Sequence, residues 1–254
     1  MQRLSGQVAI VTGGGSGIGR ATCGALARAG SRVVIVDVNP QGLEETRNLV
    51  AKQAAGEAPL ALCLDVRREA DMDAMARQTL EHFGRIDVLV AAAGILRPSG
   101  SGPKRLVDLS LTEWEAVLDT NLKGVFLSNR AVLPAMIRQR RGAIVNVSSV
   151  AGRVGRAYDS AYCASKFGVI GLSEALAEEV RSYNVRVQVV LPDAVDTPLW
   201  AQNSPLPRPP SALPAERVAD FIVYLLSLPE DTILVQPIIA PFQARRRKRR
   251  EEEP

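Results

Sequence analysis

A chain of 254 residues that is 46% hydrophobic has ample material for a buried core. No run approaches the ~20 apolar residues of a membrane helix, and the N-terminus turns glycine-rich before a signal-peptide core could form, so a soluble, cytoplasmic protein is expected. Cys23, Cys63 and Cys163 lie far apart with no C-x-x-C spacing, so neither a disulfide framework nor a zinc site is suggested; no metal is expected. Of the formal charge of +4, +3 comes from the terminal run RRRKRREEEP, and the remaining body is near neutral, which argues against a nucleic-acid docking face. Residues 243–254 read as a disordered, solvated tail, with a phosphate-rich or acidic partner as the alternative.

Short β-branched runs alternate with stretches of helical period. Strands are predicted over 7–12, 32–37, 60–65, 86–92, 142–148 and 185–191. Helices are predicted from near Gly17 and over 41–55, 69–83, about 112–138 and about 160–182. After the proline-rich segment 197–214 come one more helix, 215–228, and one more strand, 232–239. The strands are continuous Val/Ile/Leu runs, as burial on both faces requires. The expected fold is therefore α/β: a doubly wound, Rossmann-type parallel sheet of about seven strands in a three-layer αβα arrangement. Residues 1–242 read as one domain, with a lid over about 193–214.

The first strand runs into TGGGSGIG, residues 12–19, placing Gly13, Gly17 and Gly19 in a G-x-x-x-G-x-G spacing. Absent side chains let a pyrophosphate approach the backbone, and the helix that follows points unpaired N–H groups at the phosphates. Asp37 closes the second strand, 18 residues after Gly19, where a carboxylate would meet the adenosine ribose and repel a 2′-phosphate. The positions where a basic side chain would favour NADP hold Ser16 and Val38, so NAD is favoured over NADP.

Tyr162 and Lys166 stand four apart at the start of a helix, on one face. A nearby ammonium stabilises a phenolate, so the pair can serve as an acid/base unit in hydride transfer. Tyr158 lies on the same ladder but eight positions from the lysine, and reads as a residue of the substrate mouth or a packing residue. His82 reads as a helix C-terminal residue.

TGGGSGIG, the strand-end Asp65 and Val66, AAAG after the fourth strand, Asn121 in TNLKG, Ser149 in VNVSSVAG and YCASK occur in order. Together they resemble the short-chain dehydrogenase/reductase family over residues 7 to about 240. The resemblance implies that Tyr162 moves the proton, that Lys166 holds the nicotinamide ribose and lowers the Tyr162 pKa, and that Ser149 bonds the substrate oxygen. It implies a relay water at Asn121. It places the cofactor on Gly13, Ser16, Gly17, Ile18, Gly19, Asp37, Asp65, Val66, Ala93, Gly94, Tyr162, Lys166, Pro192, Val195 and Thr197. It also implies pairing of the two long helices into a four-helix bundle, hence a homodimer or homotetramer.

Three positions depart from the family pattern. Ala91 replaces an asparagine, so a side-chain bond bracing the central strands should be missing; Asp193 replaces a glycine; and the last strand lacks its aspartate-glycine-glycine ending. Substrate choice is expected to rest on loops 95–106 and 150–161 and on the lid around Leu199, Trp200 and Leu206. The loop cations Arg97, Lys104, Arg105, Arg153 and Arg156 read as solvent-facing, or alternatively as marks of an anionic or carrier-linked hydroxyacyl substrate. The first reading is thus an NAD-dependent oxidoreductase acting on a secondary alcohol or ketone. The competing one is a dinucleotide-binding sensor or adaptor acting through its basic tail.

Overall fold

A computed structural model describes residues 4–53, 58–205 and 207–242; the tail over 243–254, Leu206 and the end of the helix expected over 41–55 lie outside the described residues. In chain order the elements are β1 (Val8–Thr12), α1 (Gly17–Arg28), β2 (Arg32–Asp37), α2 (Pro40–Gln53), β3 (Leu60–Cys63), α3 (Glu69–Phe83) and β4 (Val88–Ala91). There follow α4 (Leu111–Leu118), α5 (Gly124–Gln139), β5 (Gly142–Val147), α6 (Ser160–Val180), β6 (Val185–Pro192), β7 (Val195–Asp196), β8 (Leu213–Pro214), α7 (Ala215–Ser227) and β9 (Ile238–Ile239). Seven strands form one parallel sheet in the order β3-β2-β1-β4-β5-β6-β9. This is the expected Rossmann-type architecture.

Successive side chains of a strand point to opposite faces, and here both faces are covered. Ala9, Val11, Val33 and Ile35 enter one core with Leu26 of α1, Leu43 and Val50 of α2, and Val218 and Ile222 of α7. Val8, Ile10, Val34 and Val36 enter the other with Met72 and Met75 of α3, Val132 and Met136 of α5, and Leu176 of α6. The double burial explains why the strands read as unbroken apolar runs. The chain winds outward from β1 to β3, then crosses to β4 on the other side of β1, so a crevice opens above the carboxyl ends of β1 and β4.

Two elements differ from expectation. The helix expected over 112–138 is broken by a π-helical turn, Asp119–Lys123, between α4 and α5. The turn residues, DTNLK, contain neither Gly nor Pro and bury only Asn121, so the sequence carries no sign of the break. The strand expected over 232–239 shrinks to Ile238–Ile239, because Pro237 has no N–H to donate; its carbonyl still accepts from Leu191 N–H at 3.0 Å. An unexpected pairing, β7 with β8, ties together the two ends of the lid segment. Among the described residues no helix is long and apolar enough to cross a membrane.

The base of the sheet is stitched by one carboxylate. Asp87, 3% exposed, accepts from Val8 N–H at 2.9 Å and from the Arg85 guanidinium at 2.8 and 2.6 Å, and its own backbone bridges β1 and β5. Asp87→Ala strands the Val8 N–H in the core and should destabilise the fold by about 2 to 3 kcal/mol in urea melts. Asp87→Asn keeps an acceptor there and should cost less than half as much.

Candidate active site

The crevice is a cleft of about 660 Å³ whose walls come from the ends of β1, β2, β4, β5 and β6, the start of α6 and the lid. One half is built around the glycine turn. Gly13 holds φ +67 and Gly17 φ +49, a region that side chains disfavour. A Cβ on Gly19 would lie 2.1 Å from the Gly13 carbonyl oxygen. Ser16 and Ile18 line the same wall. Asp37 reaches across from β2: one carboxylate oxygen accepts Gly15 N–H at 2.8 Å and the other accepts Asn39 N–H at 2.9 Å. Arg20 of α1 is held by the Gly15 carbonyl, Thr46 and Glu45.

Asp65 and Val66 line the wall beyond β3. Arg67 grips the Asp65 carboxylate with Nε at 2.9 Å and Nη2 at 2.6 Å, holding its pKa below the usual carboxylate range. Sequence reasoning missed Arg67, a partner two residues away that also lines the cleft. Ala93 and Gly94 follow β4. Behind them the π turn aims Asn121 inward, fully buried. Its Oδ1 accepts Ile95 N–H at 2.8 Å; its Nδ2 donates to the Ile95 carbonyl at 2.8 Å and to Ser165 Oγ at 3.1 Å.

The other half gathers on β5 and α6. Ser149 follows β5 and accepts Ala151 N–H at 3.2 Å. Tyr162 and Lys166 face the cleft one turn apart, the ammonium 5.7 Å from the phenol ring centroid. Lys166 donates to the Val147 carbonyl at 2.9 Å, and Ser148 Oγ donates to the Lys166 carbonyl at 2.8 Å, docking α6 on β5. Burial pulls the Lys166 pKa down to about 8. Burial also pushes Tyr162 up to about 12, opposed by a hydrogen bond with Ser149 and by the charge of Arg156. A tyrosine so placed is held protonated at neutral pH, ready to donate. Tyr158 is exposed, in the left-handed region at φ +69, outside this cleft.

Pro192 ends β6 and Asp193 follows it, and Val195 and Thr197 open the lid. Trp200 of the lid donates its indole N–H to the Val195 carbonyl at 2.7 Å. At the Ala91 departure no side-chain polar group exists; its register partner Asn146 instead accepts from Asn129 at 3.1 Å and donates to Ser173 at 3.0 Å, tying β5 to α5 and α6. Exposed His82 packs edge-on against Phe83. No group of three or more His, Cys, Asp or Glu able to hold a metal is found among the described residues.

The loop cations do not all face solvent. Arg97 is 7% exposed and donates to the Gln202 carbonyl, to Asn203 Oδ1 at 2.8 Å, to the Tyr158 carbonyl and to the Asp159 carboxylate. Its backbone N–H and that of Leu96 both donate to Gln202 Oε1. Arg156 donates to Asp193 at 3.0 Å, Lys104 pairs with Glu113 and Arg105 with Asp108, whereas Arg153 is exposed. Sequence reasoning missed Asp159, Gln202 and Asn203, whose partner lies about 60 to 106 residues away in the chain.

A parallel sheet with a glycine-lined crevice at its strand-order reversal defines a Rossmann-type α/β protein. The profile described as short chain dehydrogenase matches residues 7–206. The 3-oxoacyl-(acyl-carrier-protein) reductase FabG of Thermotoga maritima is 37% identical over 235 residues, covering 89% of this chain and 92% of that protein. D-threitol dehydrogenase of Mycolicibacterium smegmatis is 42% identical over 199 residues, 78% of this chain and 73% of its relative. The crystal structure of levodione reductase matches with TM-score 0.85 at 34% identity, covering 94% of this chain and 97% of that one. The chain belongs to the short-chain dehydrogenase family, oxidoreductases that bind nicotinamide cofactors and act on CH–OH or keto groups.

Arg97 fastens the lid to the loop after β4 and to the first turn of the helix that carries Tyr162. Arg97→Met should accelerate hydrogen exchange over residues 198–204 by about 10-fold or more, while exchange in α3 stays unchanged.

Proposed function

We propose that the protein is an NAD-dependent oxidoreductase interconverting a secondary alcohol and a ketone, with Tyr162 as the proton-transferring group. The observation that carries this reading is one cleft with a glycine cradle at one end and Ser149, Tyr162 and Lys166 on the wall at the other. The cradle fits a dinucleotide, because a Cβ at Gly13 or Gly19 would collide with the backbone of Ala93 or Gly13, so glycine there lets the turn close tightly at the cleft wall, where pyrophosphate can approach its backbone. Gly13, Ser16, Gly17, Ile18 and Gly19 would hold the pyrophosphate, and Asp37 the adenosine ribose. Asp65 and Val66 would receive adenine, Ala93 and Gly94 the ribose side, and Pro192, Val195 and Thr197 the nicotinamide end. When bound, the nicotinamide supplies or accepts the hydride.

The chain's own groups do the rest. Ser149 hydrogen-bonds the substrate oxygen and Tyr162 gives it a proton in reduction or removes one in oxidation. Lys166 stabilises the phenolate left behind and bonds the nicotinamide ribose. The Asn121 side chain is committed to Ile95 and Ser165, so a relay water there would rest on its backbone. Tyr162→Phe should lower kcat for ketone reduction by about 1,000-fold while leaving NADH affinity within about threefold, measured by stopped-time assay and fluorescence titration. NADH binding with no Tyr162-dependent turnover would instead favour the sensor reading.

Asp37 supports NAD over NADP. Its carboxylate closes the ribose end, and Arg20, engaged by Gly15, Thr46 and Glu45, is not available to a 2′-phosphate without breaking those bonds. Asp37→Ala should shift the ratio of NADPH to NADH affinity toward NADPH by about 10-fold or more in the same titration; an unchanged ratio overturns the assignment.

The proposed assembly is a homodimer or homotetramer through α5 and α6, which expose Phe126 and Phe167. The body over 1–242 is proposed as a single domain with its lid over about 193–214, acting in the cytoplasm.

A further inference from the structure

Asp159 stands at the head of α6, three residues before Tyr162, and both line the cleft with Ser149. An aspartate in this N-cap position ordinarily turns its carboxylate back to accept a backbone N–H of the first helical turn. Asp159 makes no such bond, and the Arg97 guanidinium takes one of its oxygens, Oδ1. A carboxylate offers about four acceptor sites, and among the described residues no donor bonds Oδ2. The side chain is only 18% exposed, and burial pushes its pKa up against the pull of Arg97 and Arg156. The Tyr162 phenol, raised chiefly by burial, also feels the Asp159 charge. A partly dehydrated carboxylate with a spare oxygen therefore stands beside the tyrosine. Such an acceptor gains more from a donor than one already in water.

We propose that Asp159 is a specificity-determining residue: its free carboxylate oxygen accepts a substrate hydroxyl one or two carbons from the reacting centre, so the site selects hydroxyketones and diols. This deepens the oxidoreductase reading and rests on it. In that reading the reacting oxygen lies against Ser149 and Tyr162, and Asp159 is an acceptor at the head of the helix that carries the tyrosine. A hydroxyl is the matching donor, because it pairs with the carboxylate without adding charge to a wall that already carries Arg156, Lys166 and Asp193. A simple ketone shields Oδ2 from water and gives it nothing in return. An acceptor left unpaired in this way is what rejects an analogue lacking the hydroxyl. Arg97 is then a positioning residue, holding Oδ1 so that the carboxylate stays turned away from the helix end.

The test compares 3-hydroxy-2-butanone, 4-hydroxy-2-butanone and 2-butanone, three ketones on one four-carbon skeleton, as substrates with NADH. In the wild type, kcat/KM for at least one hydroxyketone should exceed that for 2-butanone by about 10-fold or more. Asp159→Asn keeps an acceptor for Arg97 and replaces the free oxygen with an amide NH2. It should lower that ratio by about 10-fold or more. A role confined to tethering the lid through Arg97 would depress all three ketones together. An unchanged ratio in Asp159→Asn, or a wild type without preference for either hydroxyketone, overturns the proposal. Calorimetric titration of each hydroxyketone into the enzyme with NAD, where no reduction can occur, gives the comparison without turnover. There, binding of the tighter hydroxyketone weakened by about 10-fold in Asp159→Asn supports the proposal, and unchanged binding overturns it. Failure of the oxidoreductase reading would show separately, as ketone reduction insensitive to Tyr162→Phe.

Discussion

A buried ammonium must find acceptors or give up its charge, and Lys166 meets that demand at the carbonyl of Val147, where β5 ends. Much of the cleft follows from this contact. It fixes the rotation of α6 about its axis, and the Ser148 hydroxyl on the Lys166 carbonyl fixes its height. With both set, the residue one turn earlier must face the chain just beyond β5, which is where Ser149 stands. The same burial that orients the lysine weakens its hold on the proton, bringing its pKa to about 8. It raises that of Tyr162 to about 12. The two shifts run in opposite directions because desolvation always penalises the charged form, ammonium in one case and phenolate in the other. An ammonium beside the phenol is therefore most valuable at the moment the phenolate forms.

At the far end of the cleft the corresponding role falls to a carboxylate. Asp37 does not merely project toward the space where a ribose would sit; it accepts N–H groups from Gly15 within the glycine turn and from Asn39 beyond β2. The residue proposed to choose the cofactor is thus part of the scaffold of the turn that would hold its phosphates. Charge at position 37 and the shape of the turn are coupled, and a change made for one is felt by the other.

How much of this was legible in the sequence depends on the range over which each signal acts. The parallel sheet was legible because double burial writes itself into every strand as a continuous apolar run. The glycine turn, Asp37, and the spacing from Ser149 to Tyr162 to Lys166 were legible because each is a local pattern tied to an element boundary. The π turn was not, since residues 119–123 hold no Gly or Pro that would mark a break in the helix. Nor was the short last strand, where Pro237 interrupts pairing inside an apolar run. Arg97 was read as a loop cation facing water because its acceptors on α6 and the lid are distant in sequence. Asp193 stood out as a departure, but its partner Arg156 became visible only when β6 and the loop after β5 were brought side by side.

The Arg97 network also explains a local oddity of α6. Asp159 occupies the N-cap position, where an aspartate usually accepts a backbone N–H of the first turn, worth about 1 kcal/mol. Here it makes no such cap bond and turns its carboxylate to Arg97 instead. The exchange trades stability at the start of the helix for a link to the lid. The helix tolerates the loss because it runs 21 residues and is docked on β5 through Lys166 and Ser148. The lid has no comparable core of its own: none of Pro198–Asn203 is buried. It is held by the β7–β8 pairing at its ends and by polar bonds to Arg97 and Leu96 along its length. A roof fastened by hydrogen bonds rather than by apolar packing can be released at modest cost, which suits the lid role proposed for this segment above Tyr162.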